Sequence, residues 1–290
     1  MELFTLVTME PDEESRSLLK TLVKRELGSL LGTGSGVKLI EEAYPTHAVL
    51  RCYGKLPGFS LCRTGEEVYR RAAQAIADYI IEHEERPLLR GIITREYGYG
   101  DSGELEVIEP YCLRLLDPSD EHGFEEMTAL QRRKNKIIAS VQEYFREDIR
   151  LHMNGFIRFR LNEYWSELRD VAEYAMDEYV MDKQYQDFIS LLKYFVYVQD
   201  TKMPVAHLLH NGGHEFSLLN EHMVPIETKP AEVTFELSGK EINFEDMIVS
   251  TLITMSPQRI YIHTHEPEAP VIQTIMNIFE HRTVLCTSGS

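Results

Sequence analysis

The sequence predicts a mixed α+β protein: an amino-terminal α/β sandwich over 1–118, a helical middle over 119–224 and a small carboxyl-terminal βαβαβ unit with parallel strands over 225–290. Three observations carry that prediction. Segments of period two and of period 3.6 alternate through the amino-terminal part; strand patterns then vanish between 120 and 224; after Pro225 and Pro230 short strand and helix patterns alternate again. The chain has 290 residues, 43% of them hydrophobic, enough to bury roughly three quarters of its unfolded surface in two or three domains.

Residues 2 to 8 alternate as a strand. Pro11 with Asp12, Glu13 and Glu14 opens an amphipathic helix carrying Leu18, Leu19, Leu22, Val23 and Leu27, which stops at the following glycines. Val37 to Ile40 and His47 to Cys52 are extended, joined at Tyr44-Pro45-Thr46. Thr64 and Glu67 form a capping box ahead of a second helix bearing Val68, Ala72, Ala75, Ile76, Tyr79 and Ile80. Leu88 to Thr94 and Leu105 to Leu116 read as strands. This order is that of a split βαβ unit resembling a ferredoxin-like sandwich.

In the middle, Glu125 to Ile149 is helical, and Phe159 to Gln199 is helix-forming throughout, with a hint of a break at Asp182 and Lys183. Trp165, Leu168, Ala172, Ala175 and Tyr179 recur at helical spacing, as do Tyr185, Phe188, Ile189, Leu192, Phe195 and Val196. Such an aromatic seam reads as core in preference to a ligand groove. Beyond it, Val233, Phe235 and Leu237 alternate as a strand; Phe244 to Ile253 is helical; Arg259 to His263 is a strand, Pro270 to Phe279 a helix and Thr283 to Cys286 a last strand. In a parallel sheet ligands favour the carboxyl ends of strands, which puts His263, Thr264, His265 and Glu266 at the rim.

A formal charge of -17, with every segment net negative, argues against a phosphate-neutralising surface, so nucleic acid is not the expected ligand. Met1-Glu2-Leu3-Phe4 lacks the features of a secretory signal, and no apolar run is long enough to span a membrane; the expected location is cytoplasmic. Cys52, Cys62, Cys112 and Cys286 show no paired or metal-ligand spacing and are expected as free, mostly buried thiols.

Gly32 to Lys38 is glycine-rich, but its spacing and its place between a helix and a strand are wrong for a phosphate loop; a helix stop accounts for it. Of eleven histidines, His207, His210 and His214 cluster, and a metal could be held if His263 or His265 approached. No complete set of ligands can be named, so these five are candidates only, and no metal or other cofactor is expected. Arg132-Arg133-Lys134-Asn135-Lys136, the one dense basic run, wraps around a helix and reads as solvated surface or a contact for an acidic partner. No serine or cysteine hydrolase pattern occurs.

The block Asn154-Gly155-Phe156-Ile157-Arg158-Phe159-Arg160-Leu161-Asn162-Glu163-Tyr164, with Asp177-Glu178-Tyr179 and Tyr185 to Gln199, is similar to the YtxC family, associated with sporulation in endospore-forming Bacillota. Glu245-Asp246, Ser250 to Thr254, Pro257 and Arg259 to His263 agree. The resemblance covers most of 150–290 and the first 115 residues only in layout. It implies a cytosolic bacterial protein connected with sporulation and implies no enzyme activity. Members often end with several cysteines; this chain has only Cys286, so no cysteine-based role carries over. Asn154, Gly155, Phe159, Arg160, Tyr164, Tyr194 and Gln199 are family-motif positions of unassigned role.

Arg160, among apolar neighbours, reads as a structural ion-pair member in preference to a partner contact; if so, its truncation costs about 3–5 kcal/mol. The functional expectation is a sporulation-associated protein acting through contact with a protein whose identity the sequence does not give. The alternative is a metal-dependent or phosphate-ester-directed enzyme at the carboxyl-terminal rim and histidine-rich loop.

Overall fold

The computed structural model describes residues 1–9, 13–31, 36–55, 59–60, 64–116, 126–213, 215–226 and 244–286. The fold is mixed α+β, as the sequence predicts. Its contacts fall into two units, residues 1–179 and 180–290.

In the first unit, β1 (Glu2–Thr8), α1 (Glu13–Leu27), β2 (Val37–Ala43), β3 (Ala48–Gly54) and α2 (Glu66–Tyr79) follow the expected order. The sheet order is β2-β3-β1-β4, the order of a ferredoxin-like sheet. The edge strand differs from that plan. The segments read as strands at 88–94 and 105–116 are helical, α3 (Glu85–Tyr97) and α4 (Ser102–Leu116), and β4 is the short Arg150–His152, which runs parallel to β1. The misreading came from β-branched residues such as Ile92, Ile93 and Val107. Burial nevertheless follows helical spacing: Leu89, Ile92 and Ile93 in α3, and Ile108, Cys112 and Leu116 in α4. Tertiary packing overrides the local preference. Gly98, at φ +79°, ends α3, and Asp101 Oδ1 accepts from the Gly103 amide at 2.8 Å to start α4. The expected capping box does not form: Glu67 turns to Arg70 and Arg71, which hold its carboxyl down at about 2. Cys52 and Cys112 are buried free thiols and Cys286 is half-buried; Cys62 lies outside the described residues, as do Gly32 to Ser35.

β1 is the centre of this unit, its residues from Leu3 to Thr8 buried on both sides. α5 (Glu126–Glu147) packs along α2 and brings Phe145 against Phe4 and Tyr69. The helices beyond the sheet are tied by one polar knot. Glu85 Oε2, at the start of α3, accepts from Arg133 Nε of α5 at 3.1 Å and from the Tyr164 hydroxyl at 2.8 Å; Arg133 Nη1 also donates to Leu116 O at the end of α4. All three side chains are buried. Tyr164 lies in α7 (Asn162–Val198), which follows α6 (Met153–Arg160). Burial is the largest influence on Glu85 and pushes its carboxyl up, with Arg133 and Tyr164 pulling the other way. The basic run is thus only partly a solvated surface: Arg132 and Asn135 are exposed, Lys134 and Lys136 half-buried, and most of its charges are paired. Arg133 is in the interior, Arg132 and Lys136 bond Glu167, and Lys134 pairs with Asp78.

α7 continues through Asp182 and Lys183 without the hinted break. Its amino-terminal half buries Leu168, Ala172, Ala175 and Tyr179, as expected. In the second unit its later half buries only Ile189, Leu192 and Val196, while Phe188 and Phe195 are exposed. The expected aromatic core is thus half a core: a straight helix cannot turn both rows toward one layer.

Residues 203–220 are not helical. β5 (Met203–His210) and β6 (Phe216–Asn220) form a hairpin, with β7 (Pro257–Thr264) parallel to β5 and β8 (Thr283–Cys286) parallel to β7, in the order β6-β5-β7-β8. Asn211-Gly212-Gly213 is the turn, both glycines at positive φ, and its flanks alternate. Two histidines, one on each face of β5, obscure that alternation in a hydrophobicity reading. The strand expected at 233–237 lies outside the described residues. α8 (Phe244–Met255), α9 (Pro270–Phe279) and the later part of α7 share one core with Ala206, Leu208, Ile260 and Ile262 of the sheet. The opposite sheet face carries His207, Leu209, Tyr261 and His263, all half-buried.

The polar knot sets an expectation for stability. Arg133→Ala leaves the Glu85 carboxylate buried without its ion partner and is expected to cost about 3–5 kcal/mol, whereas Tyr164→Phe, losing one hydrogen bond to a charged acceptor, costs about 1.5–3 kcal/mol. Urea denaturation of both variants checks the ranking.

Candidate functional site

The best-marked surface is the end of α6. Phe156 and Ile157 turn inward, and Trp165 Nε1 donates to Ile157 O at 2.7 Å, satisfying a carbonyl at the helix end. Leu161, buried, leaves helical geometry at ψ 46°. This break separates α6 from α7 and leaves Arg158, Phe159 and Arg160 as three successive exposed residues. Phe159 is 68% exposed. The Arg158 guanidinium stands 5.5 Å from its ring, and that of Arg160 5.8 Å from the Tyr144 ring. Arg150, on the neighbouring edge strand, is exposed too. Among the described residues neither Arg150 nor Arg158 has an ion pair.

Arg160 is not a buried ion-pair member. Among the described residues its one carboxylate neighbour, Glu147, is 3.9 Å away, and the two side chains are 59% and 63% exposed. At that separation and in solvent the pair contributes little. Asn154 Oδ1 accepts from the Met9 amide at 3.2 Å, tying the end of β1 to α6. A Cβ added at Gly155 would meet nothing closer than 4.0 Å, so no close approach demands glycine there. Tyr164 belongs to the polar knot. Tyr194 is exposed, and the Gln199 side-chain oxygen is buried with no hydrogen-bond partner among the described residues.

The candidate metal histidines divide. His210 is buried and stacked on Phe216; its Nε2 lies 3.0 Å from Gly213 O and its Nδ1 2.8 Å from Thr264 Oγ1. The carbonyl can only accept, so Nε2 carries a proton, while Nδ1 shares a hydrogen bond with the Thr264 hydroxyl. Thr264 in turn accepts from the Glu266 amide. Both ring nitrogens of His210 are thus engaged, and the strand ends are closed by internal bonds. His207 and His263 do meet on the half-open sheet face, Nδ1 to Nε2 at 3.1 Å, with Tyr261 stacked on His207. His265 is exposed, and His214 lies outside the described residues. Among the described residues no group of three or more His, Cys, Asp or Glu is placed to hold a metal ion. Nor is any described helix long and apolar enough to cross a membrane.

Fold and surface together define a mixed α+β protein of two four-stranded sheets. The YtxC-like family model matches residues 70–284, more than half of the chain, and the chain belongs to that family. It is 26% identical over 209 residues to the uncharacterized protein YtxC of Bacillus subtilis strain 168, covering 71% of this chain and 73% of that protein. No solved structure matches it significantly. The matched span reaches well upstream of the Asn154 block in which the resemblance was read. It takes in Glu85 and Arg133, which sequence reasoning missed as partners because 48 residues separate them. Arg158 lies in the Asn154–Tyr164 block, and a phenylalanine flanked by two arginines at a helix end is the sequence signal for this surface.

Two outcomes follow. Arg160→Ala is expected to change unfolding free energy by less than about 1 kcal/mol in urea denaturation. Burial and the nearby His207 hold His263 below its ordinary value, so as pH falls through about 6.5 the unfolded chain takes up the proton first and stability is lost. Melting temperature should therefore drop between pH 7.5 and 5.5, and drop less in His263→Gln.

Proposed function

We propose that this protein serves endospore formation in the cytoplasm by binding another protein, with Arg158, Phe159 and Arg160 as the contact. The observation that carries the reading is their exposure: a phenylalanine two-thirds open to solvent between two arginines that no buried carboxylate claims among the described residues, in a chain of charge -17. Arginine and aromatic side chains are the ones that interfaces concentrate at their energetic centres. The sporulation setting rests on the family resemblance of the same block. The partner that suits this chemistry is an acidic segment with an apolar side chain to cover Phe159. Nucleic acid suits it less, because the chain repels phosphate at long range and the 132–136 run is occupied by Glu85, Glu167 and Asp78.

The test uses an Arg158→Ala, Phe159→Ala, Arg160→Ala triple variant in an endospore-forming host that encodes this chain. An unchanged melting temperature with spore yield reduced at least tenfold is expected; unchanged yield at normal protein level counts against the proposal. The enzyme reading has the His207–His263 pair in its favour. Stoichiometric zinc in the purified chain, lost in a His207→Ala, His263→Ala variant, would put that reading first.

A further inference from the structure

The carboxyl-terminal half of α7 presents two faces. One, through Ile189, Leu192 and Val196, enters the core against its own sheet. The other carries Met181, Phe188, Leu191, Phe195 and Val198, every one of them between 38% and 70% exposed, with Tyr194 beside them. Their spacing is not random. Met181, Phe188 and Phe195 repeat every seven residues, and Leu191 and Val198 stand three positions after two of them, the a and d places of a coiled-coil seam; only Gln184 interrupts the series. No charged residue occupies the seam. Asp182, Lys183, Asp187 and Lys193 all fall off it, and Lys193 is paired with Glu280.

The size of the surface says what it is for. Side chains of this kind carry about 150–250 Å² each, and at roughly half exposure the six leave on the order of 600 Å² open, the upper end of what a monomer ordinarily shows. Two such faces together make about 1,200 Å², where specific protein interfaces begin. We infer that this seam is the interface of a homodimer, in which α7 of one copy pairs with α7 of a second, antiparallel about a two-fold axis. A linear a/d stripe is self-complementary under such an axis. Centring the pair between Phe188 and Leu191 sets those two opposite each other, Met181 opposite Val198, and Gln184 opposite Phe195. Antiparallel pairing also opposes the helix dipoles and keeps the acidic amino-terminal halves of the two helices apart. The interface is separate from the Arg158–Arg160 surface, and the inference does not depend on it.

Sedimentation equilibrium of the full chain is expected to give twice the 33.6 kDa mass, with association tightening as salt screens the -17 charge on each copy. Phe188→Glu and Leu191→Arg, each made at an exposed position so that the fold survives, should each weaken self-association at least thirtyfold. Mixing the two variants should restore the dimer, because the introduced charges then face each other across the axis. A monomer at all concentrations overturns the inference, whether it is free, bound to phosphatidylglycerol vesicles through the seam, or capped there by its own 227–243 segment. A dimer that neither variant weakens overturns it equally, as does a failure of the mixture to reassociate.

Discussion

Arg133 is a cation that cannot be left alone. A guanidinium inside a protein needs its charge met and partners for its donors, and here a carboxylate on α3 meets the charge while that carboxylate and a carbonyl at the end of α4 each take one hydrogen bond. Tyr164 then takes up the remaining reach of the Glu85 oxygen. Four helices, α3, α4, α5 and α7, converge on this point through residues up to 79 apart in the chain, so their relative positions are fixed by direction-dependent bonds and not by apolar packing alone. The first turn of α7 is thereby anchored to α3 and α5.

The two sheets solve burial differently. β1 is covered on both faces, and its residues are almost uniformly apolar or hydroxyl-bearing. In the second unit the helices that belong to the shared core lie with one face of the sheet, and the opposite face is composed of half-buried His, Tyr and Leu. A single imidazole–imidazole bond there has room for one proton between two nitrogens, which makes that face sensitive to acid in a way the first sheet is not.

How much of this could be read in advance depended on whether the deciding interaction was local. The elements from β1 to α2, α5, α9 and the last two strands were visible because each carries its own periodicity and punctuation. α3 and α4 were misread because Ile, Val and Tyr prefer strands in isolation, and only their distant neighbours make the helical rows apolar on one side. β5 and β6 were missed because His207 and His210 replaced aliphatic residues in the alternation, although Asn211-Gly212-Gly213 marked the hairpin. Arg160 was misjudged for a related reason. Its neighbours are apolar in sequence, but residues 100° apart on a helix point different ways, and the ones beside it in the chain are not the ones beside it in space. Tyr164 had no sequence signal for its role, since its partner is 79 residues away.

The uninterrupted run of α7 from Asn162 to Val198 has a consequence during synthesis. Its first half has its packing partners already made when it leaves the ribosome, because they all precede it in the chain. Its second half does not: Ile189, Leu192 and Val196 wait for strands that end at Cys286. At translation rates of about 5–20 residues per second, that apolar row and the aromatic one beside it stay open to solvent for roughly 5–20 seconds. In that interval the later half of α7 must hold its helix, or wait to form it, without the sheet that will cover it.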